Sequence, residues 1–208
     1  HAWRIFYQGV PVGLLELIVV VYSRLGVFLL EHYGNLEAVG KYYIAIKVTE
    51  PLLAIAGALS ISAYPVMSRL AEQGEGSEMR RRFLRYAARS ALLSCSIAAL
   101  LTLLAEPLLG TIKPEYVGAA GALVALSWAT VFMFQNQLST SMINSFGKFH
   151  YVTGFAAMNL GIYLAFSLAL IPRLGVLGAG LSTFGTEGIN ACVQLVTVFL
   201  LLRRVIAR

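Results

Sequence analysis

Residues 39–70 read VGKYYIAIKVTEPLLAIAGALSISAYPVMSRL, and this stretch decides the fold class. It is longer than the about 20 mostly apolar residues that cross a bilayer at about 1.5 Å of rise per residue. Lys47 and Glu50 interrupt its first third at i, i+3 spacing, which puts both on one helical face. Pro51 follows at once, and because it has no amide donor it is expected to kink the helix. The stretch closes on Tyr64-Pro65-Val66-Met67-Ser68-Arg69, ahead of an arginine-rich loop. A charged, kinked span running into a basic loop is seldom a passive anchor.

Composition points the same way. The chain has 208 residues, 58% hydrophobic and 12% charged, with a mean hydropathy of +0.75. Soluble domains carry about 25% charged residues, so an all-α integral membrane protein is expected. Cys95 and Cys192 stand singly in apolar runs, which excludes a disulfide framework and a metal motif. The net charge of +6 lies in loops beside the spans, so it marks membrane topology and not nucleic-acid binding. The chain opens on His1 without a signal peptide, as a processed chain, an excised domain or a fragment would.

Six spans are expected, over about residues 9–30, 42–67, 87–109, 117–143, 151–171 and 177–202, with residues 1–208 forming a single six-helix lobe. The gaps EHYGNLEAVGK, TIKPEY and PRLGVLG then fall on one side of the membrane, and SRLAEQGEGSEMRRRFLRY and NSFGKFH on the other. Eleven basic residues (Arg69, Arg80, Arg81, Arg82, Arg85, Arg89 and Lys148 among them) lie on the second side, against Lys41, Lys47, Lys113 and Arg173 on the first. The positive-inside rule makes the second side and both termini cytosolic, in a multi-pass protein of the cell membrane. EMRRRFLRYAARS reads equally as an interfacial helix on anionic headgroups or as a stop-transfer loop. Ser90, Ser94 and Ala98 recur every fourth position and suit close helix packing.

Charged side chains near the bilayer centre cost about 2.5–3.5 kcal/mol each on insertion scales, so those present need a reason. Glu16 and Arg24 lie eight residues apart in the first span, too far to pair and so directed at a cavity or another helix. Lys47 and Glu50 either satisfy each other or face that same space. Gln135, Asn136 and Gln137 are consecutive, and Gln137, Ser141 and Asn144 share a face at i, i+4, i+7. Thr183, Glu187, Asn190 and Gln194 make one polar stripe on the sixth span. Such stripes serve interhelical hydrogen bonding or line a hydrated path. Their presence on four of six helices favours a polar central space.

In order and spacing, GNLEAVGKYYIAIKV from Gly34, YPVMSRL, AEPLLGTIKPEYVGAAGALVALSW and INSFGKFHYVTGFAAMNLGIYLAFSLALIPRLGVLGAGLSTFGTEG resemble the C-terminal half of the Wzx-type polysaccharide flippases. These exporters of lipid-linked oligosaccharides belong to the superfamily that holds the multidrug and toxin extruders and the lipid II flippase. The resemblance implies one lobe of a two-lobe protein of twelve to fourteen helices, paired with an N-terminal lobe across a cavity. It also implies that the first two helices, with Glu16, Arg24, Lys47 and Glu50, line that cavity.

The resulting expectation is a flippase that moves a polyprenyl-pyrophosphate-linked oligosaccharide by alternating access, with membrane lipids and the second lobe as partners. Arg24, Glu16, Lys47, Glu50, Gln137, Asn144, Glu187, Asn190 and Gln194 are its candidate substrate-pathway residues. Arginine suits a pyrophosphate because its planar fork binds two oxygens and keeps its charge. An ion-coupled multidrug extruder is the alternative, with Glu16, Glu50 and Glu187 as its acids; a non-transporting protein of polysaccharide assembly is another. An enzyme is not expected, since the short loops hold no carboxylate pair or histidine arrangement for acid–base chemistry. No cofactor or nucleic acid is expected either.

Overall fold

The structure, a computed structural model, describes residues 2–34 and 36–206, and the side chains of these except residues 2–12, 14–16 and 23. Every regular element among them is helical: α1 (Ala2–Tyr33), α2 (Leu36–Glu72), α3 (Gly76–Ile112), a 3₁₀ turn (Pro114–Ala119), α4 (Ala120–Ser145) and a last stretch, Phe149–Ile206. That last stretch has 58 residues, enough at about 1.5 Å each to cross a bilayer twice. It breaks at Gly175, whose φ of 53° and ψ of −125° only glycine adopts without strain. Across the break Phe166 packs on Gly185 and Asn159 reaches Glu187, so the two arms run antiparallel. They are α5 (residues 149–174) and α6 (residues 176–206), and the described residues form an all-α membrane bundle of six long helices.

Two of the expected boundaries need correction. The basic segment between the second and third spans is not a loop: α2 continues to Glu72, α3 begins at Gly76, and only residues 73–75 turn. EMRRRFLRYAARS is therefore the first turns of α3, neither a separate interfacial helix nor a stop-transfer loop. Glu78 in that first turn ion-pairs with Arg81 and Arg82 at i+3 and i+4, which supports the helix on its exposed face. PRLGVLG likewise stays helical except at Gly175. Pro51 and Pro65 sit inside a continuous α2, where Pro51 leaves the Lys47 carbonyl without its intrahelical donor.

The helices meet in two separate apolar cores. One joins Leu30, Tyr42, Ala45, Leu109, Leu123 and Ile171, where α1, α3 and α5 end and α2 and α4 begin. The other joins Met67, Met79, Phe83, Met142, Val198 and Leu202 at the opposite end. Ser90, Ser94 and Ala98 are all buried, as a close-packing stripe requires. Neither core contains the middle turns of α4 and α6.

The α5–α6 reversal is tightest at Gly178, where an added Cβ would lie 2.4 Å from the Leu170 carbonyl oxygen. Gly178→Ala is expected to part the two helices and cost about 1–3 kcal/mol, as overpacking does. Gly161→Ala, with open space around its Cβ, should be neutral or stabilising. Unfolding in mild detergent, followed by tryptophan fluorescence, separates the two outcomes.

Candidate functional site

Between the two cores lies Glu187 on α6, buried at 6% exposure. The Tyr22 hydroxyl of α1 donates to its Oε1 at 2.7 Å. Asn136 of α4 donates from Nδ2 to Oε2 at 2.7 Å and reaches the Glu187 backbone carbonyl at 3.3 Å. Asn159 of α5 donates to Oε1 at 3.4 Å. Three helices thus converge on a carboxylate carried by a fourth, and every donor is neutral. Among the described residues no lysine, arginine or histidine lies within ion-pair distance of Glu187.

The polar level extends along α6. Gln194 donates to Asn190 at 3.2 Å and accepts from Thr140 of α4 at 3.1 Å. On the other side of Glu187, the Tyr22 and Tyr163 rings lie 4.8 Å apart, and the Tyr42 hydroxyl is 3.5 Å from that of Thr183. Oδ1 of Asn136 and Oδ1 of Asn159, both buried acceptors, flank the carboxylate without a donor among the described residues. An orphaned buried acceptor costs about 1–3 kcal/mol, so a pair of them beside a carboxylate favours a species that brings positive charge or donors. The cluster opens on a cleft of about 470 Å³ between α1, α4, α5 and α6, with Leu53 of α2 at its edge.

The expected pathway residues divide. Glu187, Asn190, Gln194 and Gln137 line the cleft. Lys47 and Glu50 pair with each other at 2.6 Å, both about half exposed, with Lys47 5.3 Å from the Tyr43 ring centre. Arg24 stands exposed on α1 with no carboxylate in reach among the described residues. Asn144 lies beyond the cleft, its Oδ1 buried without a donor among the described residues. The Glu16 side chain lies outside the described residues. Tyr22, Asn159 and Thr140 join the site without a mark in the sequence beyond being polar in apolar helices; Asn136 stood only as the middle of a polar triplet.

The MatE family model matches residues 11–171, most of the chain. The chain belongs to the MatE family. The chain is also similar to an uncharacterised membrane protein of Methanocaldococcus jannaschii, 24% identical over 156 residues, which are 74% of this chain and 31% of that protein. A solved MOP superfamily transporter from Pyrococcus furiosus superposes with a TM-score of 0.76 at 16% identity, over 89% of this chain and 42% of its own. That protein is described as having a binding pocket of reverse polarity that suggests a different function. The chain thus has the MatE fold and spans less than half the length of either protein.

Donors to a charged group are each worth about 1.5–3 kcal/mol. Tyr22→Phe and Asn136→Ala are each expected to lower unfolding stability by about that amount in the native background. In a Glu187→Leu background the same changes should cost clearly less, because the charge they serve is gone. Equal costs in both backgrounds, measured by thermal unfolding in detergent, would show that the donors do not serve the carboxylate.

Proposed function

We propose that this MatE chain is the C-terminal lobe of a two-lobe exporter, and that uptake of a proton or monovalent cation at Glu187 drives its alternating access. The observation that carries this is a buried carboxylate held by neutral donors from α1, α4 and α5, with no positive side chain beside it among the described residues. A charge buried without a counter-charge is costly, so the lobe with Glu187 empty and the lobe with it neutralised differ in energy. Because the donors come from three helices, that difference acts on helix packing, which is what alternating access needs.

The cargo is a lipid-linked oligosaccharide, moved from the cytosolic to the outer leaflet of the cell membrane, with both termini cytosolic. The ordered motifs of the flippase-like half support this cargo, as does Arg24, exposed on α1 where a pyrophosphate would meet its planar fork. The companion lobe would complete the cavity against the exposed faces of α1 and α2. The cleft, with Glu187 and the aromatic rings of Tyr22 and Phe155 in its lining, favours a second cargo, an organic cation extruded by the same ion cycle.

The test uses the full two-lobe protein in vesicles, with a proton or a sodium gradient imposed. Glu187→Gln, at matched abundance, is expected to lose gradient-driven transport by about 5–150-fold, the span of an ordinary coupling free energy. A pyrophosphate-linked oligosaccharide as substrate tests the first cargo and a cationic dye the second. Gradient-driven transport at the native rate in Glu187→Gln would reject the coupling role.

A further inference from the structure

A second site lies on the opposite side of α4. Arg82, Arg85 and Arg89 follow one another on one face of α3 and, with Tyr86, line an open pocket of about 160 Å³. Their charge is poorly balanced. Residues 78–89 hold five arginines and one acid, Glu78. Glu78 pairs with Arg81, with Arg82 at 2.8 Å and more loosely with Arg85 at 3.6 Å. The hydrogen bonds from Arg82 and Arg81 hold its carboxyl below the usual carboxylate range, so it is ionised at neutral pH and already engaged. Arg89 has no carboxylate within ion-pair distance among the described residues.

Directly adjoining the arginines is an apolar groove of about 190 Å³. Leu59 of α2, Leu93 of α3 and Phe134 and Leu138 of α4 form its walls, and Tyr86 and Arg89 belong to both spaces. From Arg82 to Leu93 the axis advances about 16 Å, from the end of the bundle into its apolar length. A cationic mouth opening onto an apolar slot matches one chemistry, a phosphate headgroup with a hydrocarbon tail. A free phosphate would use the mouth and leave the slot unfilled.

We propose that this groove between α2 and α3 is a binding site for an anionic phospholipid of the surrounding leaflet, its phosphate on Arg85 and Arg89 and part of an acyl chain against Leu59, Leu93 and Leu138. The occupant is a resident lipid and not cargo, because α4 separates the groove from the cleft. Gln135 turns to α3, 3.3 Å from the Ala87 carbonyl, while its neighbour Asn136 turns to Glu187. The site does not depend on what the exporter carries.

Native mass spectrometry tests it, on the full transporter purified from vesicles of equal phosphatidylglycerol and phosphatidylcholine. The native protein is expected to retain phosphatidylglycerol preferentially. Arg85→Gln/Arg89→Gln should reduce that preference by about fivefold per arginine, the effect of one basic residue near an anionic surface. Glu78→Gln, which releases arginines from their acid, should raise it, and this variant decides the matter if the double variant does not fold. Equal retention of the two lipids, a preference unchanged in the double variant, or no gain in Glu78→Gln would overturn the proposal. So would displacement of phosphatidylglycerol by a polyprenyl pyrophosphate, which would make the groove a cargo site.

Discussion

The 2.7 Å hydrogen bonds from Tyr22 and Asn136 to Glu187 tie α1 and α4 to α6 at the level where neither apolar core reaches. A charged side chain at the bilayer centre costs about 2.5–3.5 kcal/mol, and two charge-assisted donors return about 3–6 kcal/mol. The terms are close to balance, so the carboxylate is tolerated without being locked. A structural carboxylate would be expected to carry an arginine or lysine beside it; Lys47 and Glu50 show that arrangement on the exposed face of α2. Glu187 has the opposite surroundings. The coupling role proposed for Glu187 rests on that difference.

The two cores and the hairpin follow from that constraint. Packing at each end holds the helices together, and around Glu187 the middle depends on polar side chains that need one another. Gly175 lets α5 fold back on α6, which brings Asn159 opposite Glu187. Helix α4 then acts as a partition. Its Gln135 side packs on α3 beside the arginine groove, and its Asn136 side faces the acidic cleft. Consecutive polar residues on a membrane helix thus serve two different surfaces, one cationic and one acidic.

Much of the fold was legible because helical membrane spans announce themselves by length and hydropathy. The sorting of the gaps also survives, since the core residues place the turns at 73–75 and 146–148 at one end of the bundle and Gly175 at the other. The boundaries near the arginines were misread because hydropathy falls where a helix leaves the apolar layer, whether or not the helix stops there. The site was half legible. The stripe of Glu187, Asn190 and Gln194 has helical spacing within one element and can be read directly. Tyr22 and Asn159 are single polar residues whose meaning depends on helices 165 and 28 residues away in sequence touching Glu187, which no local pattern encodes. Arg24, Lys47 and Glu50 drew notice by charge alone, and charge does not say that they stand on the exposed faces of α1 and α2 and not in the cleft.

The central claim is that Glu187 exchanges its charge state with a bound proton or cation, and infrared difference spectroscopy of the full transporter tests it most directly. Spectra taken on adding sodium, and on stepping the pH, report the carboxyl and carboxylate bands of buried acids. The account predicts a buried carboxyl or carboxylate band that responds to at least one of these ligands and is missing from the difference spectrum of Glu187→Gln. A spectrum unchanged by sodium and pH, or one identical in Glu187→Gln, would contradict it.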